Sequence, residues 1–508
     1  MFSLFDSPVR RSRQLCDGIA RRELLTVGGL SLVGLGLSDL LRQPSHAAAA
    51  QRRGQSGFGA ADSVVLIYLQ GSPSHIDLWD PKPGAPAEIR GEFQPIATRS
   101  RGLFLGEVLP RLASVSQHYS VVRSIGVDPK GLRNHGAAIY MLMTGHSPTN
   151  FSSTGLAIPP SREDLPSVGA NVGRYRRADR GRFGYVAVGA PVMEGKVTGV
   201  GQAAGLLGAA YDPYTMYDDA TQPIQPLGFT LPNDITLDRI SRRIDLRALI
   251  DQHRSQHRSQ HRSQHRSQHR SQHRSTPDQF PSIAHTSFDQ YYDQALSLIQ
   301  TRRAAEAFRM DLESTATRQR YGMTRFGQSL LLARRLIEAE TRFVQVTWPA
   351  GSDTEPAAGP DGSWDTHRNN FPMLRDHRCP VFDQSLSAFI TDMARRGLLE
   401  RTLVIAVGEF GRSPQIGSPT TNNVGPGGRD HWPECYSFLV AGGGTQPGQV
   451  FGQSDRHGAW PKTDPVHPYD LVSTIYHAMG IDPGTEYHDS LNRPRRLTES
   501  GQPILGLF

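Results

Sequence analysis

Cysteine is almost absent: three residues in 508, Cys16, Cys379 and Cys435, too few and too widely spaced for a disulfide framework. No apolar run is long enough to span a bilayer. The best candidate, residues 27–41, is diluted by four glycines and stops short of the roughly 20 apolar residues that a spanning helix needs. Neither a collagen-like nor a coiled-coil period is present. A formal net charge of +7 would point to nucleic acid if it covered a folded body, but it does not. The first fifty residues hold six Arg against four acids, and a repeat in mid-chain adds six more Arg. Everything else is close to neutral, so nucleic-acid binding loses its main support. What is plentiful is glycine and proline, 51 and 36 residues, in a chain that is 37% hydrophobic and 20% charged. That is a loop-rich globular composition, long enough for one large α/β domain plus a targeting segment.

Residues 1–50 read as a twin-arginine signal peptide. Arg21 and Arg22 precede Glu23, Leu24 and Leu25, then the Gly-rich apolar run, then Pro44 and four alanines at 47–50 as a small-residue cleavage region. The expectation is a periplasmic or secreted protein, passed folded to the twin-arginine export machinery and left without a membrane span after cleavage. Residues 51–61 read as a linker and 62–508 as the α/β domain. Gln-His-Arg-Ser repeats interrupt that domain at 252–275. Their six histidines could capture a metal adventitiously, but no carboxylates or apolar shell flank them, and the segment reads as a solvated insert outside the core.

The run at 64–69 is continuously apolar and β-branched, as a strand buried on both faces should be. Further strands are expected at 342–348, after a helix around 327–340, at 403–407, after a helix around 383–399, and at 437–441. Helix alternating with apolar strand predicts a mostly parallel central sheet with helices on both faces. In such sheets the site lies beyond the carboxyl ends of the strands. Polar clusters recur there: Ser74, His75 and Asp77 after the first strand, Trp364-Asp365-Thr366-His367 after the second, Gly408-Glu409-Phe410-Gly411-Arg412 after the third, and Arg429-Asp430-His431-Trp432 ahead of the fourth. Imidazoles and carboxylates converging from rigid elements are what a divalent metal, zinc or manganese, requires. Each motif alone also fits an ordinary turn or a helix cap.

Taken in order, these motifs resemble an exported bacterial family of unknown function, numbered 1501, within the alkaline phosphatase and sulfatase-like superfamily. The series includes Gly71-Ser72-Pro73-Ser74, Arg90-Gly91-Glu92-Phe93, Val122-Arg123-Ser124 and the stretch from His135 to Thr144-Gly145. The resemblance implies an alkaline phosphatase-like fold and one or two metal ions. It places one metal site on Asp365, His367 and His431, with the first two spaced by two residues instead of the superfamily's usual four. Elsewhere the sequence departs from the superfamily: Gln70 stands near the place of the first-strand Asp, and Glu409-Phe410-Gly411 replaces Asp-His-Gly. The nucleophile falls nine residues before Thr144, on His135, which could ligate metal, move a proton or form a phosphohistidine. The sulfatase signature is absent. Ser74 is a replacement nucleophile or a helix N-cap; Arg412 holds an ester oxygen or pairs with Glu409 or Asp430; His75 and Asp77 would supply a second metal site. Asp365, His367, Glu409 and His431 should therefore converge on one metal-sized point, with His135 facing it from a helix N-terminus. The implied activity is hydrolysis of a small anionic ester or a sulfated or phosphorylated glycan. The alternative is a non-catalytic, metal-stabilised binding protein that has lost the nucleophile.

Overall fold

The structure is a computed structural model that describes residues 55–508 apart from 128–132, 149–158, 177–181, most of 225–301, 349–362, 422–423 and 490–491. The signal peptide and the Gln-His-Arg-Ser repeat lie outside the described residues. Ser56–Phe508 forms one compact unit.

Its centre is an eight-stranded sheet. The strands are β1 (Ser63–Tyr68), β2 (Ser120–Ile125), β3 (Tyr185–Val188), β4 (Tyr214–Met216), β5 (Phe343–Thr347), β6 (Thr402–Val407), β7 (Tyr436–Ala441) and β8 (Val450–Phe451). Their spatial order is β8-β2-β7-β6-β1-β5-β3-β4. β1 lies at the middle, parallel to β6 and β5, and the sheet continues parallel through β3 and β4. The strand expected at 437–441 is present as β7 but runs antiparallel to both β6 and β2. The connection differs from those of the parallel strands: β6 leads into a polar loop excursion without the crossover helix that usually joins parallel neighbours.

Helices cover both faces. On one, Val65 and Ile67 of β1 pack with Leu330 and Leu336 of the helix Arg325–Glu338 and Phe382 and Phe389 of the helix Cys379–Arg395. On the other, Val64, Leu66 and Tyr68 meet Ile139 of α1 (His135–Thr144), Val172 of the helix Val168–Tyr175, and Val472 and Ile475 of the helix Pro468–Ala478. Both faces of β1 are thus covered, which is why its sequence shows no polar alternation. Asn134 caps α1 by accepting the Ala137 N–H at 3.1 Å, and Gly145 at φ 74° ends the helix, so His135 occupies its first turn. Among the described residues no helix is long and apolar enough to cross a membrane.

Behind β1, the His75 ring is fully buried and its Nε2–H donates to the Gly458 carbonyl at 2.8 Å. Burial pushes its pKa down from 6.5 to about 4. Between those values the unfolded chain binds a proton that the folded chain refuses, so stability should fall as the pH drops from 6.5 toward 4, by roughly 3 kcal/mol in all. His75→Gln keeps a donor for Gly458 and removes the titration. Its denaturant-unfolding free energy should change less over this pH window than the wild-type value; parallel pH curves would refute the assignment.

Candidate metal centre

The loop after β5 carries Asp365 and His367. It is anchored by Trp364, which is buried against Trp348 and Phe382 with ring centroids 5.0 and 5.4 Å apart, and whose backbone N–H donates to the Gln70 carbonyl at 3.0 Å. Gly71, next to Gln70, sits at φ +96°, and a Cβ there would stand 2.6 Å from the Asp365 nitrogen. Only glycine lets the turn after β1 approach this loop so closely. Glu409 follows β6. His431 comes from a two-residue ribbon in which Gly411 pairs with Trp432 and Arg412 with His431.

These elements bring three imidazole Nε2 atoms and one carboxylate together. His367 Nε2 lies 3.0 Å from His431 Nε2 and 3.0 Å from Asp365 Oδ1. His431 Nε2 lies 3.4 Å from Asp365 Oδ1, and His135 Nε2 lies 3.4 Å from Asp365 Oδ2. His135, Asp365 and His431 offer ligand atoms within 4.8 Å of one another, and so do His367, Asp430 and His431, a spacing that could admit a divalent ion. His135 Nε2 is buried without a hydrogen-bond partner, as a nitrogen reserved for a ligand would be.

Two of the outer nitrogens are held by hydrogen bonds, and His367 Nδ1 is not. His431 Nδ1–H donates to the Arg133 carbonyl at 2.7 Å, and His135 Nδ1–H donates to Glu409 Oε1 at 2.6 Å. His367 Nδ1 is 3.4 Å from Asp430 Oδ1. Fixing Nδ1–H outward leaves the Nε2 lone pair directed at the common point. Charge favours a cation as well, for Asp365, Glu409 and Asp430 face the cluster, and the buried guanidinium of Arg412 is paired with Asp365. Burial alone would depress the His135 pKa, but the carboxylates of Asp365 and Glu409 overcome it and lift it to about 9. His431, dominated by burial, is pushed down to about 4. Asp430 is held well below the usual carboxylate range despite burial, because it accepts the Thr421 and Thr420 N–H groups and the Thr421 hydroxyl.

Several sequence expectations are relocated. Glu409 was expected among the donors converging on the metal; its Oε1 accepts from His135 and from the Gly71 N–H at 3.0 Å, while its Oε2 is buried without a hydrogen-bond partner. Arg412 is fully buried, bound to Asp365 Oδ1 at 2.5 Å, to the Ser72 carbonyl at 2.9 Å and to the Gly71 carbonyl. It clamps Asp365 through Nη2, and its Nη1 makes one long contact, to the Arg429 carbonyl at 3.4 Å. Asp77, expected at a second metal, has both oxygens on Arg429 at 2.8 and 3.0 Å and receives Asn370 Nδ2 at 2.8 Å. With His75 committed to Gly458, the pair does not form a metal site. Ser74 is buried at the start of the helix His75–Leu78, its hydroxyl neither capping that helix nor bonded elsewhere. Among the described residues no hydroxyl hydrogen-bonds to any of the three Nε2 atoms. Asp430 and the Arg133 carbonyl were missed as supports. Asp430 sat beside His431 in a quoted motif, whereas a backbone carbonyl has no sequence signal.

No curated protein matches the chain. Similar solved structures include the sulfatase PsFucS1 from Pseudoalteromonas sp., 13% identical, covering 86% of this chain and 70% of that one with a TM-score of 0.33. Another is the phosphonate monoester hydrolase SpPMH from Silicibacter pomeroyi, at 12%, 82%, 73% and 0.34 in the same order. A third is a protein in the alkaline phosphatase superfamily from Vibrio parahaemolyticus, at 9%, 84%, 68% and 0.37. Likenesses this loose carry no argument about the site. A family model does match nearly the whole of the described domain, residues 61–508, and the chain belongs to that family, DUF1501, whose description is "Protein of unknown function".

Proposed function

We propose that the protein is an exported, metal-dependent hydrolase of the alkaline phosphatase-like class that acts on a phosphate or sulfate ester. One divalent ion, zinc or manganese, would be held by His135, His367, His431 and Asp365. The observation that carries this reading is the run of contacts at 3.0–3.4 Å that links His135 to Asp365, and Asp365 to His367 and His431. A preponderance of imidazole favours zinc of the two. Such an ion supplies Lewis acidity toward an ester oxygen. The protein's own groups keep the donors in place: Glu409 orients His135, the Arg133 carbonyl orients His431, and Arg412 holds Asp365. The Asp365 side chain is 30% exposed, which leaves one flank of the cluster open to a small anion.

A second reading, a metal-stabilised binding protein without turnover, is favoured by one observation: among the described residues no hydroxyl hydrogen-bonds to the three Nε2 atoms. Elemental analysis and an ester panel separate the two. One metal equivalent with turnover of p-nitrophenyl phosphate or sulfate supports the hydrolase, and one equivalent with no turnover across the panel leaves the binding role. Absence of metal from protein refolded with zinc and manganese sinks both. Export is tested separately by replacing Arg21 and Arg22 with lysine, which should retain the precursor in the cytoplasm; normal appearance outside it would disprove the route.

A further inference from the structure

Beside His431 runs an aromatic strip that plays no part in holding the cluster. Trp432 follows His431 in the ribbon, its indole N–H donating to the Ala459 carbonyl at 2.7 Å. Trp460 meets it edge to face, with centroids 6.0 Å apart and planes at 73°. Trp460 is 43% exposed, yet it is not on a frayed loop. The Asp455 N–H donates to the Trp460 carbonyl at 2.8 Å, and Asp455 Oδ1 accepts the N–H groups of His457 and Ala459 at 3.0 and 2.8 Å. An ordered turn thus presents a large apolar ring to water.

The strip is joined to the cluster through Arg133. Its guanidinium lies over the Trp432 ring at 4.9 Å, its Nη1 donates to the His431 carbonyl at 3.1 Å, and its own carbonyl holds His431 Nδ1–H. A ligand spanning the two would place one end at the Nε2 atoms and the other on the indoles. Two features define that far end. Trp460 is 43% exposed and not enclosed, which suits a ring whose C–H face can stack while its rim of hydroxyls stays in water; an aryl or acyl group would call for an enclosed pocket. Exposed Arg456 and Lys462 flank Trp460 in the chain, which suits negative charge on the ligand.

We infer that Trp460, with Trp432 behind it, is a sugar-stacking step, and that the ester taken by the neighbouring cluster is carried on an anionic glycan. The inference rests on the hydrolase reading for the ester but not for the stacking. Calorimetric titration with dextran sulfate, neutral dextran and p-nitrophenyl sulfate tests it on wild type, Trp460→Ala and Trp460→Phe, each both metal-loaded and stripped by chelator. Loss of one stacking partner is worth about tenfold in affinity. Trp460→Ala should therefore weaken dextran sulfate by about tenfold with metal content and melting temperature unchanged, and Trp460→Phe should recover most of it. Neutral dextran should bind more weakly than dextran sulfate to the wild type. Equal dextran sulfate affinity in wild type and Trp460→Ala overturns the inference, and so does a Trp460-dependent affinity for p-nitrophenyl sulfate that exceeds that for dextran sulfate. Sugar binding that persists in a protein found to hold no metal would overturn the hydrolase reading and leave the stacking step standing.

Discussion

Protein carrying His367→Ala or His431→Ala is expected to emerge from zinc reconstitution with most of its metal gone, whereas His488→Ala keeps its full complement. The first two remove nitrogens that lie 3.0 Å apart in the cluster; His488 is an exposed residue of the ribbon Glu486–His488, remote in role from it. Asp365→Ala should behave like the histidine variants and should also free Arg412, leaving a fully buried guanidinium short of its carboxylate. Glu409→Gln is the informative intermediate case. Its amide can still meet the His135 ring but no longer demands a proton on Nδ1, so the tautomer that directs Nε2 inward is not enforced. Loss of such a carboxylate support typically weakens a site by about 10–100-fold, measured by competition with a chromogenic chelator. If His367→Ala and His431→Ala bind zinc as tightly as wild type, the cluster is a hydrogen-bonded network and not a metal centre.

How much of this could be read in the residues depends on what kind of signal each feature leaves. The central strand was legible because burial on both faces forces a continuous apolar run at 64–68, and the strands at 343–347 and 402–407 were legible for the same reason. β2, β3, β4 and β8 were missed as strands: β2 is interrupted by Arg123, whose guanidinium reaches the Trp79 and Phe104 carbonyls, and the other three have only four, three and two residues. The direction of β7 was not legible, because a strand's composition is blind to its polarity and the absence of a helix before it was the sole clue. In the site, residue types sufficed to bring Asp365, His367, His431 and His135 into view. Roles did not follow from type. Glu409 and Asp77 are both carboxylates just beyond strand ends, and what separates them from Asp365 is which buried cation or imidazole faces each one.

Asp77 makes the point with the largest stability change we expect. Its carboxylate and the Arg429 guanidinium are fully buried, joined through two hydrogen bonds of 2.8 and 3.0 Å. Removing one partner of such a pair leaves an uncompensated charge in a low-dielectric interior and costs about 3–5 kcal/mol. Asp77→Ala should therefore lower the unfolding free energy by about that amount in urea titrations, while the folded fraction still binds zinc, because neither oxygen of Asp77 reaches the cluster. Arg429→Met should cost more than Asp77→Ala. Arg429 also donates to the Ser413, Pro414 and Ile89 carbonyls, and its loss strands those acceptors together with the carboxylate, each buried unsatisfied group adding roughly 1–3 kcal/mol. For the same reason the double replacement Asp77→Leu with Arg429→Met should not return to wild-type stability, although swapping a simple buried ion pair for apolar residues often does. Two results would contradict this account: full recovery in the double variant would mean the carbonyl bonds contribute nothing, and loss of zinc from Asp77→Ala at unchanged stability would return Asp77 to the metal.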